Sequence, residues 1–213
     1  TSVMNYPITE GKTGQQMADH LQKHLEDLGA EKSGNFSVDC DTYQYVTNPN
    51  KAVHVLHNSE TPYSCYSFID SPSGVHVVTD ASFDLLIQKM KQFYIKKQPK
   101  IESKGAILTL CDFSIKIGSV VFGQMTTFKG LLIEIEYKPC NIPKEVYSLL
   151  KEFCHHVFGS EINFDETNQY FKSNSEVSQT STDVICQYLD YFLFFKMSSL
   201  SLTQPMTGQA NKN

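Results

Sequence analysis

Glu134, Glu136 and Lys138 alternate along an otherwise apolar stretch, Leu131-Leu132-Ile133-Glu134-Ile135-Glu136-Tyr137-Lys138. Successive side chains of an extended strand point to opposite faces. The two carboxylates and the ammonium therefore share one face, and Leu131, Ile133, Ile135 and Tyr137 share the other. A face of that kind carries the donors to hold a hard divalent cation and grip a phosphate chain. His20 and His24 stand one helical turn apart, a spacing that can hold zinc. No glutamate follows His20, however, and no third ligand lies close in sequence. The adjacent His155 and His156 diverge on a helix and chelate poorly. Six cysteines and seven histidines supply Cys–His combinations by chance, and nothing local marks an activated thiol. The chain has no nucleophile elbow, no phosphate-cradling glycine loop and no dinucleotide fingerprint.

An ExExK strand is the signature of the triphosphate tunnel metalloenzymes, which need inward-pointing cations and carboxylates from most strands of a closed barrel. This chain contains no arginine, and its other strand-like segments set mainly Ser, Thr and single lysines opposite their apolar faces. The motif also falls in the last β block, whereas the tunnel enzymes place it near the start. The charges are therefore read first as the solvated side of a half-buried strand. A metal-dependent triphosphate hydrolase using Glu134, Glu136 and Lys138 is the alternative. Phe113 and Tyr137, without flanking arginines, read as core and not as base-stacking platforms.

The formal net charge of −5 argues against a chain-wide phosphate-binding surface. Lys89, Lys91, Lys96, Lys97, Lys100 and Lys104 cluster locally and read as a solvated face. Cys40, Cys65, Cys111, Cys140, Cys154 and Cys186 have no CxxC spacing, which points to free thiols in a reducing compartment. The longest apolar segment, Tyr188–Phe195, is too short to span a bilayer and contains Asp190. These features point to a soluble intracellular protein with 213 residues to fold, enough for one substantial core or two small ones.

The elements that must position these residues follow from periodicity and punctuation. A helix is expected over Thr13–Leu28, opened by a Thr13/Gln16 capping box and stopped by Gly29. A β-rich block, Gly34–Thr79, is broken by Asn48-Pro49-Asn50, Thr61-Pro62 and Ser71-Pro72-Ser73-Gly74. A second helix is expected over Ser82–Lys97, ended by Pro99, with Phe83, Leu86, Ile87, Met90, Phe93 and Tyr94 inward. A second β block spans Ser103–Lys138 and reads as half-buried strands with one wet face. A third helix runs from Pro143 to Gly159, and a polar surface loop covers Ser160–Thr180. The last helix, Thr182–Met197, leaves almost no polar face and must be buried on more than one side. This order predicts an α+β fold, one antiparallel barrel-like sheet flanked by about four helices. The domain spans residues 1–197, and a polar, disordered tail spans 198–213.

Five segments carry a further signal. They are Leu28-Gly29-Ala30-Glu31-Lys32, Phe36-Ser37-Val38-Asp39-Cys40-Asp41-Thr42-Tyr43, His57-Asn58-Ser59-Glu60-Thr61-Pro62-Tyr63-Ser64-Cys65-Tyr66, Cys111-Asp112-Phe113 through Gly118, and Glu134-Ile135-Glu136-Tyr137-Lys138-Pro139-Cys140. In this order they resemble subunit 20 of the Mediator complex, the coactivator of RNA polymerase II. The resemblance covers roughly residues 8–195, with departures at Thr47–Lys51, Ser160–Thr180 and the tail.

The resemblance implies a β-barrel with flanking helices, related to the tunnel triphosphatases but without their activity. It implies a non-enzymatic nuclear subunit of the Mediator head module with no cofactor. Subunit 18 is the implied direct partner, subunit 8 joins the same subcomplex, and contact with the TATA-binding protein is associated with the family. No direct nucleic acid or membrane contact is implied. Because the family-like segments fall there at strand ends, Asp39, Cys40, His57, Asn58, Glu60, Asp112 and Phe113 are the candidate interface residues.

Overall fold

The computed structural model of the chain describes residues 1–8, 13–123, 127–159, 162, 164, 171–172 and 174–201. In chain order the elements are β1 (Ser2–Tyr6), α1 (Gly14–Asp27), β2 (Glu31–Tyr45), β3 (Ala52–Asn58), β4 (Ser64–Ile69), β5 (His76–Asp80), α2 (Phe83–Lys89), β6 (Tyr94–Leu110), β7 (Phe113–Phe122), β8 (Thr127–Tyr137), α3 (Pro143–Phe158) and α4 (Ser181–Ser201). The strands form one eight-stranded sheet in the order β1-β8-β7-β6-β2-β3-β4-β5, and every neighbouring pair is antiparallel.

The sheet is curled but does not close. β1 and β5 are its outer strands, with no pairing between them among the described residues. The expected barrel is thus an open one, and α4 occupies the gap. On one turn of α4, Gln187 accepts from Val3 N of β1 at 2.8 Å, while the Cys186 thiol reaches Pro72 O in the β4–β5 turn at 3.7 Å. Two sheet margins that meet across a single helix must bend towards each other around it. The packing on α4 agrees. Ile185, Tyr188, Leu189, Phe192 and Phe195 bury against Val3, Leu132, Val120, Ile101, Val38, Cys40, Leu56 and Phe68, side chains from seven strands. Most of the apolar surface of the last helix is buried within the chain, while Phe194 and Met197 remain exposed.

The other sheet face carries α1 and α3 over β1, β8, β7 and the end of β6, with Met17, Leu21, Leu25, Val146 and Leu150 packed on Ile115, Ile117, Ile133 and Ile135. The α1 start is the expected capping box: Thr13 Oγ1 accepts from Gln16 N, and Gln16 Oε1 from Thr13 N at 2.9 Å. Gly29 stands at φ 95°, where a side chain is disfavoured, and stops the helix. Further along the same sheet face, α2 covers Tyr43, Val55 and Cys65 with Ile87 alone fully buried.

Three expectations are corrected. The second helix ends at Lys89, and Tyr94–Leu110 is a strand in which Tyr94–Lys97 pairs with Thr42–Tyr45. Pro99 sits where that strand slips register opposite Asp41, a place that needs no ladder donor. In Ser160–Thr180, the described Ile162, Phe164 and Phe171 are buried against α3, so part of that stretch is core and not surface. Ser198–Ser201 continues α4; the rest of the expected tail lies outside the described residues.

Candidate functional site

The alternation of β7 and β8 places Ser114, Lys116 and Gly118, and Leu132, Glu134 and Glu136, on the face that α4 covers. That face is not wet. Lys116 and Glu134 are cross-strand partners, both buried, with Nζ 2.8 Å from Glu134 Oε1. The Tyr188 hydroxyl of α4 donates to Glu134 Oε2 at 2.8 Å, and Glu60 from the β3–β4 turn caps the same ammonium. Burial works against the Lys116 ammonium, but Glu134 and Glu60 together hold its pKa above the usual lysine value. Burial also pushes the Tyr188 phenol well up, and Glu134 adds to the rise. Both Glu134 oxygens are thus engaged by protein donors. Glu136 is half-buried, while Lys138 lies past the strand end, exposed, with Nζ 3.3 Å from Thr109 Oγ1.

The three ExExK charges therefore do not converge, and among the described residues no His/Cys/Asp/Glu group has metal-ligand proximity. The arrangement is an internally paired structural node, one ammonium held between two carboxylates. Reading the charges as a solvated strand face is corrected for Glu134, and the triphosphate hydrolase reading is not supported, because both Glu134 oxygens are taken by protein donors. His24 is likewise used internally: its Nε2 contacts Val157 O at 2.8 Å, tying α1 to α3.

The seven candidate interface residues fall into two groups. Asp39 and His57 are cross-strand partners on the face bearing α2, with His57 Nδ1 3.4 Å from Asp39 Oδ1. Lys100 lies 3.0 Å from the same carboxylate, and Asp84 of α2 stands 4.0 Å from His57 Nε2. The hydrogen bond to Asp39, with a second to Cys65, raises the His57 pKa to about 10. Burial of Asp39 is overcome by His57 and Lys100, so its pKa is lowered. Cys40, one residue on, points the other way into the α4 core. It has no exposed surface, and burial pushes its thiol up to about 12.

Asn58, Glu60, Asp112 and Phe113 lie in or beside two turns at the end of the sheet where β2 begins. Asn58 Oδ1 accepts from Glu60 N at 3.0 Å and shapes the first turn. Asp112 O accepts from Lys138 N in the second. Phe113 stacks on Phe153 of α3 with ring centroids 3.9 Å apart. Glu60 and Asp112 are exposed; Asn58 and Phe113 are half-buried. Sequence reasoning missed Lys116 and Tyr188, the partners that explain Glu134. The only available signal was the lone lysine opposite an apolar run in Ser114–Val121.

Residues 1–193 match the model of the family described as the TATA-binding related factor of subunit 20 of the Mediator complex. The chain is 38% identical to Mediator of RNA polymerase II transcription subunit 20 from Anopheles gambiae, over 94% of this chain and 96% of that one. The chain belongs to the Mediator subunit 20 family. The Drosophila melanogaster protein of the same name is 46% identical, over 78% of this chain and 68% of that one. Among solved structures, the Schizosaccharomyces pombe Mediator head module is similar at 8% identity with a TM-score of 0.39, over 75% of this chain and 94% of that chain. That likeness lies below the level from which a shared fold follows. The Mediator subunit 20 family consists of structural coactivator subunits and not of enzymes.

Proposed function

We propose that this chain is a non-enzymatic structural subunit of the Mediator head module, acting in the nucleus in support of RNA polymerase II transcription. The family match over residues 1–193 carries the reading. Its direct partner is subunit 18, with subunit 8 in the same subcomplex and the TATA-binding protein as a further contact. The internal geometry is consistent with a scaffold, because the buried charges are paired within the chain and α4 fills the sheet.

Unsatisfied surface remains at the margin. Among the described residues β5 is an outer strand paired on one side only, and Val75, Val77 and Val78 beside and within it are exposed. An apolar strand edge with free backbone groups is a template for another chain. The exposed turns at Asn58–Glu60 and Asp112 offer polar contacts at one end of the sheet. Asp39, His57 and Phe113 support those surfaces from half-buried positions, and Cys40 supports them from the core. Binding free energy should concentrate in a few buried anchors.

Co-expression with subunit 18 of the same organism, followed by light scattering, tests the pairing. A stable one-to-one particle is expected. Two separately eluting monomers would overturn the proposal.

A further inference from the structure

α2 turns Phe83 and Ile87 to its own core and leaves two further leucines outside. It is two turns long, and its N-cap residue Ser82 makes no side-chain capping bond. Ile87 is 4% exposed and packs inward, whereas Leu85 and Leu86 are 61% and 52% exposed. Phe93, in the turn that follows, is 40% exposed. A helix normally directs its apolar residues at the sheet it covers, and adjoining exposed large side chains mark an interaction surface.

The charges at the C-terminal end of this face are basic, while the exposed Asp80 lies at the opposite end, where it caps Ser82. Lys89 lies one helical turn beyond Leu85 and Leu86, on the same side of the helix, and Lys91 follows in the turn. Neither makes an ion pair among the described residues. Asp84, the acid of this helix, is turned inward, where it accepts from the Tyr43 hydroxyl and stands near His57. It does not offset the lysines on the outer side. Of the six lysines between Lys89 and Lys104, Lys96, Lys100 and Lys104 pair with Asp41, Asp39 and Glu102, which leaves Lys89, Lys91 and Lys97 without an ion pair among the described residues. Two leucines and a phenylalanine rimmed by unpaired ammonium groups fit a segment of the opposite pattern.

We infer that the outer face of α2, with Leu85, Leu86, Lys89, Lys91 and Phe93, is a docking surface for an acidic amphipathic protein segment, apolar on one side and rich in Asp and Glu on the other. Apolar contact would supply affinity, and the lysines would steer approach and select for acidity. A nucleic acid fits less well. The surface has no arginine, and leucine side chains give bases no stacking platform.

The test is fluorescence anisotropy with the full chain and a labelled synthetic helix bearing Leu and Phe on one side and Asp and Glu on the other. Saturable binding is expected, weakening with added salt. Lys89→Glu with Lys91→Glu should weaken it by about tenfold or more, and Leu85→Ser with Leu86→Ser should do likewise. All four positions are exposed, so both variants should melt at the wild-type temperature, which separates lost binding from lost fold. A probe with Asn and Gln in place of its acids should bind weakly. The inference is overturned if the acidic probe does not saturate, if neither variant changes its affinity, or if a labelled DNA duplex binds instead and responds to the lysine changes.

Discussion

Lys116 and Glu134 form an ion pair with Nζ and Oε1 2.8 Å apart, buried between the sheet and α4 and 18 residues apart in sequence. Tyr188 closes the carboxylate from the helix side, and Glu60 closes the ammonium from the β3–β4 turn. One node therefore joins two central strands, the last helix and a turn from the far half of the sheet. Together with the hydrogen bonds of Gln187 to Val3 and of Lys196 to Thr42, it fixes the rotation and register of α4 on the sheet.

A buried pair is costly to break and much less costly to replace. Lys116→Met leaves Glu134 charged with Tyr188 as its remaining donor. It should lower stability by about 3–5 kcal/mol in urea denaturation. Lys116→Met with Glu134→Leu should recover most of that loss. Glu60→Gln, at a partly exposed partner, should cost under about 1 kcal/mol. A double variant no more stable than Lys116→Met alone would show that the charges themselves are required.

Much of the fold was legible because local signals agreed with tertiary need. Thr13, Gln16 and Gly29 bound α1 as read, Pro143 and Gly159 bound α3, and the Leu131–Tyr137 alternation gave β8. The failures have physical causes. Phe93 and Tyr94 continue the helical spacing of Phe83, Leu86 and Met90, but pairing of Tyr94–Lys97 with β2 overrides it. Alternation shows which residues share a face and cannot show what covers it. Glu134 and Lys116 therefore looked wet until α4 was in place. The node draws on four separate segments, and no spacing rule connects them.

Gly105 and Gly118 face each other across β6 and β7. A Cβ on Gly105 would lie 1.8 Å from Ile117 O, a backbone atom fixed in the ladder. Gly105→Ala should therefore cost about 1–3 kcal/mol through strand displacement, read as a lowered midpoint with unchanged slope in urea. Unchanged stability would mean the strands can separate locally at no cost.

All six cysteines are free thiols. Cys111 is exposed at the β6–β7 turn and Cys140 is half-buried, whereas Cys40, Cys65, Cys154 and Cys186 are buried. Burial raises the pKa of Cys40, Cys154 and Cys186, which suppresses their thiolates further. A thiol reagent at neutral pH should label Cys111 first, then Cys140, with the remaining four reacting only on unfolding. Peptide mapping after a short pulse checks the order, and early labelling of Cys40 would show that α4 leaves its channel readily.

Two histidines on the same strand should give stability opposite slopes with pH. His54 faces α4, where burial and then Lys196 lower its folded pKa from 6.5 to about 4. Between those values the unfolded chain takes a proton that the folded chain refuses, so stability is lost as pH falls through this window, by roughly 3 kcal/mol. His57 is the reverse case. Asp39, then Cys65, raise its folded pKa to about 10, so its contribution is fully present below 6.5 and is lost as pH rises towards 10. Its partial exposure discounts that contribution to about 1 kcal/mol. Urea midpoints measured across this range should show both limbs. His54→Gln should flatten the acid limb alone, and His57→Gln the alkaline limb alone. If the acid limb persists unchanged in His54→Gln, another group carries it, and the neutral, buried state assigned to His54 is wrong.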